Sequence, residues 1–143
     1  MTDRCGRCAG RAARALLLLV TAVACRGDPT VSHRAEAGRI VRAIAELRAA
    51  PNDAKASLLP ALAEATCSAS DLCRLRDGCL DAYRQHVAAL EEKDALARSL
   101  AAGAPTPDAT TRLDAVERKL TEARDGALDC SRRELAVRAR YRP

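Results

Sequence analysis

Phenylalanine and tryptophan are absent from this 143-residue chain, tyrosine occurs only at Tyr83 and Tyr141, and there is a single methionine. Sandwiches and barrels draw their cores from aromatic and β-branched side chains, so this shortage argues against both. Recognisable catalytic patterns are missing too: there is no Ser/His/Asp order, no Gly-rich phosphate loop and no H-E-x-x-H. What fills the space is alanine, at 32 positions, which inflates the hydrophobic content to 48%. Alanine has the highest helix propensity of all residues, and about 150 residues is the scale of one domain, so a single all-α domain is expected.

The formal charge of +5 is unevenly placed. Arg4, Arg7, Arg11 and Arg14 against Asp3 account for most of it, and residues 25–143 carry 20 basic and 18 acidic side chains. Nucleic-acid binding calls for a basic face, with stacking aromatics for single strands, and this remainder offers only a short C-terminal cluster.

Those four arginines precede an apolar run from Ala15 to Ala24, followed by Cys25-Arg26-Gly27-Asp28-Pro29. A membrane-spanning helix needs about 20 apolar residues, whereas a short core with basic flank and small-residue end is the pattern of an export signal. Within it, Ala22-Val23-Ala24-Cys25 resembles the lipobox of bacterial lipoprotein signal peptides, although Ala22 stands where Leu is commonest. The resemblance covers residues 1–25 and implies removal of 1–24, a diacylglyceryl group on the Cys25 thiol and acylation of the new N-terminus. It implies a membrane partner through that lipid. Arg26 does not match the Asp that retains some lipoproteins at the inner membrane, which favours the outer one. The competing readings are an ordinary cleaved signal, with Cys25 a spare thiol, and a cytosolic protein.

Cysteine usage agrees with export. Cys5 and Cys8 form a C-x-x-C pair inside the signal, with no strand pattern near it, and would leave with it. Cys67, Cys73, Cys79 and Cys130 remain, an even set that in an oxidising compartment reads as two disulfides. Zinc is the alternative use, but the five-residue gaps between the first three exceed the usual spacing of paired ligands, and His33 and His86 do not supply a better set. No metal and no cofactor are expected.

Beyond a tether at 25–32, apolar periodicity predicts helices at about 33–50, 54–66, 69–102 and 107–140. The first carries Ile40, Val41, Ile44 and Leu47 on one stripe and stops at Pro51-Asn52-Asp53. Asp53 is placed to cap the second, which holds Leu58, Leu59 and Leu62 and should kink or restart at Pro60. Ser68-Ala69-Ser70-Asp71 matches a capping box, flanked by Cys67 and Leu72, and opens the third helix. Its stripe is Leu80, Tyr83, Val87, Leu90 and Ala97, interrupted at Asp94, and Gly103 ends it. Thr106 as cap and Pro107 as first residue open the fourth, with Leu113, Val116, Leu120, Ala123, Ala127, Cys130 and Val137 on its stripe and an interruption at Glu134.

Two long helices and a tight loop predict an antiparallel hairpin within a small helical bundle. If the loop is centred between Ala104 and Pro105, positions equidistant from it face one another. Cys79 then meets Cys130, Tyr83 meets Gly126, and Cys67 is left to pair with Cys73. Gly78 and Gly126, costly inside helices, point to close helix approach. Residues 76–84 and 124–132 match at six of nine positions, as a duplicated helix or as chance in so biased a composition. Leu, Val and Ile make up only about 18% of residues 25–143, near the limit for a stable fold, so two bridges would matter.

Glu91, Glu92 and Asp94 with Lys93 read as a solvated helix face. Arg132, Arg133, Arg138, Arg140 and Arg142 are the one concentrated charge feature, explained by the C-terminal end of a helix dipole or by contact with anionic lipid or an acidic partner. The expected function is that of a membrane-tethered, non-enzymatic envelope lipoprotein acting through protein–protein contacts, with self-association compatible. The alternatives are a small secreted binding or inhibitory protein with a ligand pocket and, more remotely, an enzyme.

Overall fold

Residues 29–103 and 108–143 are described by a computed structural model of the chain. The expected signal, Cys25 and the expected loop with Thr106 and Pro107 lie outside them. Among the described residues there are four α-helices: α1 (Pro29–Ala49), α2 (Lys55–Ala63, entered through a 3-10 turn at Asn52–Ala54), α3 (Ser70–Ala101) and α4 (Ala109–Tyr141). The long α3 and α4 pack antiparallel as expected, and both disulfides form as expected: Cys79–Cys130 with Cα atoms 4.9 Å apart, and Cys67–Cys73 at 5.2 Å. No described helix is long and apolar enough to cross a membrane.

Several boundaries differ from the sequence expectation. Helix α1 begins at Pro29, so Pro29–Ser32 belong to it rather than to a tether, and His33 sits on a helix beside the Tyr141 ring, 6.2 Å between centroids. Proline is well suited to a first helical position, where its missing N–H has no intrahelical partner. Asp53 lies within the 3-10 turn and caps nothing: Ala54 is the N-cap of α2, without a side-chain bond. Helix α2 runs through Pro60 without restarting and ends at Ala63, before Cys67 turns toward Cys73.

The core gathers at one end of the hairpin. Helix α1 contributes Ile40, Ile44 and Leu47, α2 contributes Leu62, and α3 contributes Leu72, Leu75 and Cys79, all fully buried with Cys130 of α4. Residues 33–66 therefore pack on the hairpin, forming with 70–86 and 123–141 a base. Past His86 the two long helices continue as an arm, flanked at its root by Asn52, Asp53 and Ala56, in which only Ala89, Leu96 and Val116 are buried among the described residues. Leu96, not Ala97, faces inward, and Leu113 is 44% exposed. Gly103 closes the arm side of α3 with φ of +63°, a conformation that suits glycine just after a helix.

Register at the Cys79–Cys130 level has one correction. A Cβ on Gly126 would stand 3.0 Å from the Cβ of Ala82, so this glycine makes room for Ala82 and not for the Tyr83 ring. Tyr83 turns instead to a groove of about 280 Å³ bounded by Lys55, His86, Leu120 and Ala123.

Candidate interaction surface at the basic end

Three helix ends meet at the bottom of the base, and buried polar contacts hold them together. The carboxylate of Glu36 on α1 accepts from the Ser68 backbone N–H (2.7 Å) and hydroxyl (2.9 Å). Ser68 was expected to act within its own capping box. That box does not form: Ala69 is the N-cap of α3 and makes no side-chain bond, because Ser68 is engaged by a helix 32 residues upstream. Burial alone would raise the Glu36 carboxyl, but these donors and the nearby His33 outweigh it and hold it below the ordinary carboxylate range.

Asp71, the other polar end of the expected box, reaches across to α4. Its oxygens accept from the Tyr141 hydroxyl at 2.9 and 3.1 Å and from Arg140 at 3.1 Å. Burial opposes ionisation of Asp71, and the Tyr141 and Arg140 contacts overcome it, leaving its carboxyl low; burial and the Asp71 charge push the Tyr141 hydroxyl up. Arg34 on α1 donates to the Tyr141 carbonyl at 3.1 Å, which ties the first turns of α1 to the end of α4.

One level up, Glu134 is 3% exposed. It does not interrupt the α4 stripe; it occupies the stripe as an ion, accepting from Arg48 of α1 and, at 2.8 Å, from Arg138 one turn along. Burial raises its carboxyl and the two guanidinium groups more than reverse that. Lys55, also buried, donates to the carbonyls of Leu47 (2.8 Å) and Ala50 (2.5 Å), satisfying the end of α1. Burial and the Lys55 charge lower the nearby His86 imidazole. Glu36 and Lys55 were not marked by any sequence pattern, since their partners lie on other elements, and Glu134 was marked only as a break in an apolar stripe.

The five C-terminal arginines do not act as one patch. Arg132 (3.4 Å) and Arg133 (2.5 Å) both pair with Asp129, Arg138 serves Glu134, and Arg140 serves Asp71. Arg142, just past the end of α4, Arg34 and Arg74 are exposed, and none pairs with a carboxylate among the described residues. A cleft of about 500 Å³ between α3 and α4, lined by Arg74, Arg133, Arg140 and Asp71, opens on this surface.

Every buried side-chain nitrogen and oxygen among the described residues has a partner, and no described cluster of His, Cys, Asp or Glu has the makings of a metal site. Cys67, Cys73, Cys79 and Cys130, which could have formed a zinc site, are used in the two bridges. Another hollow is a trough on α4 alone, lined by Asp114, Glu117, Arg118, Thr121 and Glu122. Comparison with protein families, curated proteins and solved structures finds no match to this chain.

Proposed function

We propose that the protein is a lipid-anchored, non-enzymatic module of the bacterial envelope, held by Cys25 and presenting its hairpin arm to a protein partner. The observation that carries this reading is the polarity of the fold. The folded body begins at Pro29, four residues after Cys25, at the same end as the finish of α4, while the arm leads the other way. Residues 87–101 of α3 extend roughly 22 Å beyond the base at 1.5 Å per residue. Leu100 and Leu113, 53% and 44% exposed, stand near its tip as apolar contacts for a partner. Two disulfides are the mark of an oxidising, extracytoplasmic compartment, in keeping with export.

Intact-mass analysis of exported protein tests the anchor: residues 1–24 should be gone and acyl mass added, and Cys25→Ser should abolish both. An unacylated chain cut elsewhere would refute it. Photocrosslinkers placed at Leu100 and Leu113 test the arm, and should capture an envelope protein that the same probe at Leu135 in the base does not.

A further inference from the structure

The base and arm differ in charge as well as packing. Within residues 29–143, the base carries 14 basic and 10 acidic side chains, and residues 87–122 carry five basic and seven acidic. The acidic side chains at the bottom of the base are largely spent on internal bonds: Glu36 on Ser68, Asp71 on Tyr141 and Arg140, Glu134 on Arg48 and Arg138. Arg34, Arg74 and Arg142 are left facing solvent around the joined ends of α1, α3 and α4, with Val31 66% exposed on the first turn of α1.

We propose that this end is a docking surface for anionic phospholipid headgroups, seating the base on the membrane so that the acidic arm points away from it. The inference rests on the lipid-anchor reading for its geometry: the four residues from Cys25 to Pro29 span at most about 14 Å, so an acylated Cys25 would hold the base within reach of the headgroups. The charge argument stands on its own. Each basic side chain near an anionic leaflet contributes about 1 kcal/mol, and charges beyond a Debye length of about 8 Å contribute little, so the end nearest the membrane decides the orientation. The cleft gives a headgroup phosphate a place to enter beside Arg74, with Arg133 and Arg140, paired to Asp129 and Asp71, at its walls and its one carboxylate, Asp71, already engaged. Val31 adds a small apolar contact at the interface.

The test uses the mature chain from residue 25 with Cys25→Ser, so that acyl groups cannot contribute, and phosphatidylcholine vesicles with and without phosphatidylglycerol. Binding should require phosphatidylglycerol and weaken with salt. The triple variant Arg34→Gln, Arg74→Gln and Arg142→Gln should lose about fivefold per arginine, or about a hundredfold in all. A matched arm variant, Arg98→Gln, Arg112→Gln and Arg118→Gln, should stay within about twofold of the parent. If the base triple melts early, Ala139→Glu supplies a second variant: it adds one negative charge at an exposed helical position of the same end and should weaken binding severalfold. Equal binding to both vesicle types, or equal losses from the base and arm variants, would overturn the proposal. Absence of acylation in the native protein with the vesicle results as expected would remove the anchor and leave the docking surface standing.

Discussion

The base and the arm are built from the same two helices and the same alanine-rich composition, yet they are held by different means. In the base, α1 and α2 cover the hairpin, all eight of the largest fully buried side chains lie there, and both disulfides close it. In the arm, two helices touch along a seam of Ala89, Leu96 and Val116, with an exposed Lys119–Glu92 pair at 2.5 Å that contributes under about 1 kcal/mol. A chain short of large apolar residues has concentrated those it has, and the difference shows how little burial an antiparallel pair needs once its root is fixed.

Removing the root should have the largest effect. The Cys79–Cys130 bridge spans 51 positions and contributes about 4 kcal/mol by the chain-entropy argument, against about 2 kcal/mol for Cys67–Cys73. Replacing Cys79 and Cys130 by Ala should lower the urea midpoint far more than replacing the other pair, with helical signal retained at low temperature. Equal shifts would break the distinction between a long staple and a local one. Core truncation comes next: Leu75→Ala in the base should cost about 3 kcal/mol and Leu96→Ala in the arm about 2 or less, because fewer atoms surround the cavity there. Denaturant melts of the two variants, taken side by side, measure the contrast directly.

Acid should also act on the base. Glu36, Asp71 and Glu134 have carboxyls held below their ordinary values in the fold. The unfolded chain therefore binds more protons as pH falls, so the stability these groups supply is present above about pH 4.5 and is lost as pH drops through their folded values. Glu134→Gln should cost about 1 kcal/mol at neutral pH, since Arg48 and Arg138 are half exposed, and should flatten the decline below pH 4.5. A variant with an unchanged acid profile would show that Glu134 is not one of the groups titrating on unfolding.

The smallest predicted effect separates two glycines. A Cβ on Gly78 meets only the mobile end of Arg133, at 2.9 Å, so Gly78→Ala should gain about 0.5–1 kcal/mol of helix propensity. Gly126→Ala meets the fixed Cβ of Ala82 and should gain nothing or lose stability, with Ala82→Gly recovering the difference in a double-mutant cycle. Equal thermal shifts for the two glycines would mean that the helices separate easily at Gly126.

These contrasts follow how much of the molecule its sequence disclosed. Helix periodicity and an expected loop centre sufficed for the hairpin and for Cys79–Cys130, because a register fixed at one level propagates along two rigid helices, and Cys67–Cys73 followed by exclusion. The α1 stripe was equally legible, with Ile40, Val41, Ile44 and Leu47 all buried. Local patterns misled wherever a distant partner outcompeted a near one. Ser68 and Asp71 have the right spacing for a capping box, but Glu36 and Tyr141 take them. Glu134 looked like a break in an apolar stripe because Arg48, 86 residues away, is invisible to a periodicity argument. The C-terminal arginines looked like a single cluster in sequence, whereas helical geometry sends four of them to carboxylates on their own helix or on α3.

Hydrogen exchange on the folded, oxidised mature protein, read by mass spectrometry, tests the division between base and arm most directly. Amides of Leu72–Ala82 and Cys130–Val137 should be protected together, up to the free energy of global unfolding, while those of residues 88–101 and 112–120 should exchange by separate openings at least about tenfold faster. Uniform protection along both long helices would contradict the account, since it would make the arm as firmly held as the base that roots it.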